Sequence, residues 1–93
     1  PLSFVSALSQ QSFPGSVKAG NYSGITSISG NVYALVDDKS PNDGFYLFDI
    51  DIDSVSGNIK SVVQKDFRGN SNPNRDSEGI VYVPGSNTLF FCF

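Results

Sequence analysis

The feature that most constrains this chain is an internal repeat. Ser23-Gly24-Ile25-Thr26-Ser27-Ile28-Ser29-Gly30-Asn31-Val32-Tyr33 returns as Glu78-Gly79-Ile80-Val81-Tyr82-Val83-Pro84-Gly85 and, after one inserted residue (Ser86), as Asn87-Thr88-Leu89. The offset is 55 residues, and 56 beyond the insertion. A period near 50 filled by four up-and-down strands is the signature of a β-propeller blade. The strands read as short apolar runs divided by turn residues. Tyr22–Ile28 and Val32–Val36 flank Ser29-Gly30-Asn31 as a hairpin, and Phe45–Ile52 and Ile59–Lys65 follow across Ser54-Val55-Ser56-Gly57-Asn58. Gly79–Val83 and Thr88–Phe93 pair across Pro84-Gly85-Ser86-Asn87. Ser40-Pro41-Asn42-Asp43-Gly44 reads as a turn cluster and Phe67–Asn74 as a polar loop. No stretch has a 3.6-residue period, so no helix is expected. The expectation is an all-β chain: an antiparallel four-stranded propeller blade over 22–67 and the first two strands of a second blade over 78–93. Residues 22–93 are then a partial propeller and 1–21 a lead-in segment. A small six-stranded sandwich is the competing arrangement.

Composition removes several functions. With 93 residues the chain is one small domain or a piece of a larger one. Its formal charge is −3 and its six basic residues are scattered, whereas a nucleic-acid surface needs a basic stripe. No apolar run approaches the roughly 18 residues of a membrane-spanning helix. The absence of His excludes a Ser-His-Asp triad or a His-ligated zinc site built within these residues. A single Cys92 excludes an internal disulfide, and its setting in Phe90-Phe91-Cys92-Phe93 predicts a buried, inert thiol. Pro1-Leu2-Ser3-Phe4 lacks an initiator Met and a charged start, which reads as a processed or engineered end.

Tyr46, Phe48, Ile50 and Ile52 alternate with Asp49, Asp51 and Asp53. The acidic run invites a calcium-loop reading, but an EF-hand needs Gly at its sixth position and Glu at its twelfth, where this chain has Ser54 and Lys60. A strand with one apolar and one solvated face explains the alternation more simply.

Four pieces in order carry a family resemblance: Asn21-Tyr22-Ser23-Gly24-Ile25, Tyr33-Ala34-Leu35-Val36-Asp37-Asp38-Lys39, Phe45-Tyr46-Leu47-Phe48-Asp49-Ile50-Asp51, and Arg75-Asp76-Ser77-Glu78-Gly79-Ile80. They resemble the phytase-like esterase family, labelled "esterase-like activity of phytase". The resemblance implies the N-terminal part of a β-propeller that is typically exported (periplasmic, cell-surface or secreted). It also implies hydrolysis of phosphate or carboxylic esters, metal-assisted and requiring the full-length protein. The Asp-Asp-Pro-Ala sequence of characterised propeller phytases is missing, so phytate itself is not implied.

The candidate site is a rim at one end of the strands. Glu78 aligns with Ser23, each just before the Gly that opens a strand. Glu78 and Asp76 are the candidate metal ligands, with Asp37 and Asp38 nearby and Arg75 available to an anionic oxygen. Carboxylates gathered at a rim suit Ca²⁺, which takes oxygen ligands. Asp37 and Asp38 are also readable as turn formers, and Asp-x-Glu as a strand cap. The functional alternatives are a hydrolase of small ester or phosphoester molecules and a noncatalytic propeller that binds a ligand or protein. Self-association through the apolar C-terminal strands is also expected.

Overall fold

The computed structural model describes Leu8 and residues 10–93; Leu2, Phe4 and Val5 of the lead-in segment lie outside the described residues. Six strands form: β1 (Tyr22–Ser29), β2 (Val32–Asp37), β3 (Asn42–Ile52), β4 (Ile59–Pro73), β5 (Gly79–Val83) and β6 (Thr88–Cys92). They make a four-stranded antiparallel sheet in the order β1-β2-β3-β4 and a two-stranded antiparallel sheet β5-β6. Among the described residues there is no helix, as the absence of helical periodicity predicts.

The repeat seen in the sequence is reproduced in the pairing. Gly24, Ile25, Thr26 and Ser27 stand opposite Val36, Leu35, Ala34 and Tyr33. Gly79, Ile80, Val81 and Tyr82 stand opposite Cys92, Phe91, Phe90 and Leu89. The inserted Ser86 therefore falls in the turn and leaves the register intact. Side chains alternate across a sheet, so equal register means equivalent residues on equivalent faces.

The two sheets pack face to face. Ala34, Val36 and Ile80 form the buried centre, with Ile28, Phe45, Leu89 and Phe91 packed around it. Two backbones come close at β1 and β5: a Cβ on Gly24 would lie 2.9 Å from the Gly79 Cα and 3.1 Å from a Val36 methyl. The Tyr82 amide donates to Thr26 Oγ1 at 3.1 Å, and the Ser23 hydroxyl donates to the Ser77 carbonyl. Those bonds fix the stack along β1 as well as across it.

The other face of the large sheet carries Phe48 and Ile50, both buried. Here residues 11–19 of the lead-in segment lie against the sheet and border an apolar cavity of about 560 Å³ lined by Phe13, Val17, Leu35, Phe48, Ile50 and Val62 among others. Its polar groups bond to β4: Gln11 exchanges two bonds with the Ile59 backbone, and the Gln64 amide donates to the Ser16 carbonyl at 3.1 Å. Tyr22 closes one end, its hydroxyl donating to the Lys18 carbonyl at 2.8 Å and lying 3.2 Å from Gln64 Oε1. Burial raises the phenol pKa above the ordinary 10.0.

Three local expectations are corrected. β3 begins at Asn42, inside the expected turn cluster, and β4 runs through the expected polar loop to Pro73. The extension rests on Gly44 opposite Gly69: with no side chains, the two backbones meet closely, and Gly44 takes a φ of 155°. β4 is the outermost strand, so residues 65–73 stay exposed and need no apolar alternation. Finally, Cys92 is exposed, not buried. It follows the inward Phe91 and so faces away from the large sheet.

Candidate functional site

β1, β3 and β5 begin, and β2, β4 and β6 finish, at one end of the two sheets. Two connections meet there: Asp38–Pro41 between β2 and β3, and Asn74–Glu78 between β4 and β5. Asn74 ties them together. Its side-chain amide donates to the Asp37 carbonyl at 3.0 Å and to the Ser40 carbonyl and hydroxyl at 2.7 and 3.1 Å. Its backbone amide donates to the Pro41 carbonyl at 3.2 Å. The Asn74 Oδ1 and Asp38 Oδ1 atoms are buried and have no hydrogen-bond partner among the described residues.

The next residue makes the strongest polar contact in this region. Asp43 is 6% exposed, and its two carboxylate oxygens are both taken by Arg75. The Arg75 backbone amide donates to Oδ1 at 3.0 Å and its Nε to Oδ2 at 2.8 Å. The guanidinium carbon also lies 4.1 Å from the centre of the Phe93 ring, within cation–π range. A guanidinium carries five N–H donors in a planar fork. Binding through Nε and stacking on Phe93 fix the plane of that fork, and the two terminal nitrogens make no hydrogen bond within the described residues. Arg75 borders a cavity of about 290 Å³. Phe45, Phe91 and Phe93 line it, with Arg68, Asn70 and the Gly44–Gly69 pair on the β3–β4 side. Arg68 meets Asp66 only loosely, at 3.5 Å, with both side chains largely exposed. The cavity therefore combines aromatic walls with two arginines and the Asp43 carboxylate that one of them engages, which leaves Arg68 and the remaining donors of Arg75 for a small anion attached to an apolar body.

The five residues proposed from sequence lie at this end of the sheets but play different parts. Asp37 makes turns: its Oδ1 accepts from the Lys39 amide at 2.8 Å and the Asn21 amide at 3.3 Å. Asp38 is half-buried and receives no bond at Oδ1. Asp76 is exposed and takes a left-handed φ of 57°, which lets the chain turn between Arg75 and Ser77. Glu78 is exposed, and its amide donates to the Cys92 carbonyl at 2.7 Å, starting the β5–β6 ladder. Arg75 alone of the five borders the aromatic cavity. Among the described residues, no three His, Cys, Asp or Glu side chains gather as a metal-ligand group.

Sequence reasoning passed over Asp43, which sits among turn residues and looks like one more of them. The signal that could have found it is a lone acid next to Asn42: once β4 runs to Pro73 opposite Asn42, the chain leaving β4 returns Arg75 to within reach of Asp43. Compared with family models, curated proteins and solved structures, the chain matches none of them.

Proposed function

We propose that this chain is part of a β-propeller of the phytase-like esterase kind, and that its contribution is to bind the anionic head of a small phosphate or carboxylic ester at Arg75. Two observations support the architecture. The two hairpins β1–β2 and β5–β6 share one register, and they stack face to face with backbones in contact at Gly24 and Gly79. Repetition of one hairpin, stacked on itself at a 55-residue offset, is how a propeller is built.

The observation that carries the binding role is the Asp43–Arg75–Phe93 arrangement. A buried carboxylate and an aromatic face hold the guanidinium still, so a ligand need not order a flexible side chain on binding. The two free nitrogens match the spacing of two oxygens on a phosphate or carboxylate. The aromatic walls would take the organic part of the ester. No described side chain lining the cavity is a free nucleophile or base, because Asp43 is engaged by Arg75. Binding is therefore the role proposed for these residues, and hydrolysis, with or without calcium, is proposed only for a longer protein that carries them.

Calorimetric titration with phenyl phosphate and with benzoate tests the binding role. The expected dissociation constant is on the order of 1 mM, since one oriented arginine and a half-open cavity supply about 4 kcal/mol. Arg75→Lys, which keeps the charge but loses the fork, should weaken binding severalfold, and Arg75→Gln should abolish it. Equal binding by all three proteins would refute the role. Turnover of p-nitrophenyl phosphate and p-nitrophenyl acetate, with and without added calcium, tests the hydrolytic extension separately.

A further inference from the structure

β4 is the outermost strand of the large sheet, so only one of its edges is paired in that sheet. The other edge divides into two stretches. From Lys65 onward it carries Lys65, Asp66 and Arg68 and ends at Pro73. Charges and proline are what keep an open edge from accepting another strand. Ile59-Lys60-Ser61-Val62-Val63-Gln64 lacks that protection, with three β-branched residues and a single charge.

Residues 11–18 bond to this second stretch. The Gln11 side-chain amide donates to the Ile59 carbonyl at 3.0 Å, and its Oε1 accepts from the Ile59 amide at 3.2 Å. Facing residues of antiparallel strands make the same two-bond ring, so a side chain here stands in for a peptide unit. Ser16 takes the next outward groups: its hydroxyl donates to the Val62 carbonyl, and its own carbonyl accepts from the Gln64 amide at 3.1 Å. At the far end the roles reverse, and Gln64 Oε1 accepts from the Lys18 amide at 2.8 Å. Between these points the chain turns, the Val17 amide donating to the Phe13 carbonyl at 2.9 Å. The segment therefore closes the edge without becoming a strand that could be extended in turn.

We infer that residues 11–18 are a strap, which shuts the Ile59–Gln64 edge of β4 and opens as one unit while the sheet stays folded. Phe13 and Val17 are half-buried and the other strap residues are exposed, as are the strap's bonds to β4. A segment with few buried apolar contacts and solvent-exposed hydrogen bonds sits at the low end of local stability. The Tyr22 hydroxyl holds the Lys18 carbonyl at 2.8 Å, and this is where the strap ends and the chain fixed to the sheet begins. The latches follow the outer edge of the outermost strand, which a further sheet stacked on a face, as β5–β6 is stacked on β1–β2, does not occupy.

Native-state amide exchange of the ¹⁵N-labelled chain tests this, with protection factors taken relative to intrinsic exchange. The Ile59 and Gln64 amides, which donate to the strap, should share one level of protection. That level should lie well below the Ile50 amide, which donates to the Asn31 carbonyl between β2 and β3. Gln11→Ala should lower both strap-bonded amides about tenfold, the effect of losing two exposed hydrogen bonds, and leave Ile50 unchanged. Gln11→Glu should do the same at neutral pH, where an ionised carboxylate cannot donate to the Ile59 carbonyl. It should recover below about pH 4, where the protonated acid can. Gln64→Ala, acting from the β4 side, should lower Ile59. A fall at Ile59 alone in Gln11→Ala would overturn the proposal, because the Gln64 amide bonds to Ser16 and not to Gln11. An equal fall at Ile50 would also overturn it, since strap and sheet would then open together. So would a Gln11→Glu protein that matches the parent at neutral pH, or Ile59 protection that Gln64→Ala leaves unmoved.

Discussion

Gly24→Ala and Gly79→Ala are the same chemical change at two positions related by the repeat, yet the structure gives them opposite outcomes. A Cβ at Gly24 meets the Gly79 Cα at 2.9 Å, the Val36 methyl at 3.1 Å and the Glu78 carbonyl at 3.3 Å. The closest of these is backbone, so relief requires the two sheets to separate. Forcing a methyl into a packed contact of this kind costs roughly 1–3 kcal/mol. Replacing glycine also narrows the unfolded ensemble, which offsets about 0.4–1 kcal/mol of that. The net loss is about 1–2 kcal/mol, and a domain of this size loses roughly 4–8 °C of melting temperature per kcal/mol. Gly24→Ala should therefore melt about 10 °C below the parent. At Gly79 a Cβ meets only the Cys92 Cβ, at 3.5 Å, an ordinary contact. Only the unfolded-state gain remains, so Gly79→Ala should melt level with the parent or a few degrees above it. Thermal unfolding followed by circular dichroism, at low protein concentration to keep copies apart, reads both. Equal shifts in the same direction would show that the sheets do not approach at Gly24, and the stacking argument would fail with them.

Two other consequences follow from single residues. Asp43→Ala removes two hydrogen bonds to a buried carboxylate; with Arg75 largely exposed the ion-pair share is small, so denaturant titration should show a loss of about 1–2 kcal/mol, with Asp43→Asn losing less. Amides of Val55 and Ser56 both donate to Asp53 Oδ1, at 2.8 and 2.9 Å, and these bonds hold the Asp53 pKa below its ordinary 3.8. A depressed carboxylate pKa contributes stability that is present above the unfolded value and lost as pH falls through the folded one. The protection factors of the Val55 and Ser56 amides, taken relative to intrinsic exchange at each pH, should then be steady above about pH 4 and fall only below it, and Asp53→Asn should flatten that acid response.

The strand order was legible because alternation and turn residues act locally. Tyr22–Ile28, Val32–Val36 and Gly79–Val83 needed only a two-residue period and a Gly-Asn or Pro-Gly turn. The return of Gly24 at Gly79 was legible as a repeat, and the structure brings the two backbones close together there, as a glycine inside a strand allows. The ends of β3 and β4 were not legible. Asn42, Asp43 and Asn70 to Pro73 are turn-forming residues, and it is pairing across the Gly44–Gly69 contact that makes them extended. Cys92 was misplaced because a cysteine among phenylalanines looks apolar, while its position in the alternation puts it outward. The site was half legible. Arg75 stood out as a cation beside Asp76 and Glu78, but its partner Asp43 is 32 residues away and joined to it only by the fold.

The central functional claim is that Asp43 and Phe93 hold Arg75 ready for an anion, and the side-chain Nε–H resonance of Arg75 reports on it directly. In ¹⁵N-labelled protein titrated with inorganic phosphate, that resonance should be sharp before any addition and should shift along a saturable curve. The Asn70 amide on the cavity wall should move with it, and both shifts should vanish in Arg75→Gln. Small, unsaturable shifts shared alike by all six Lys and Arg residues would contradict the claim.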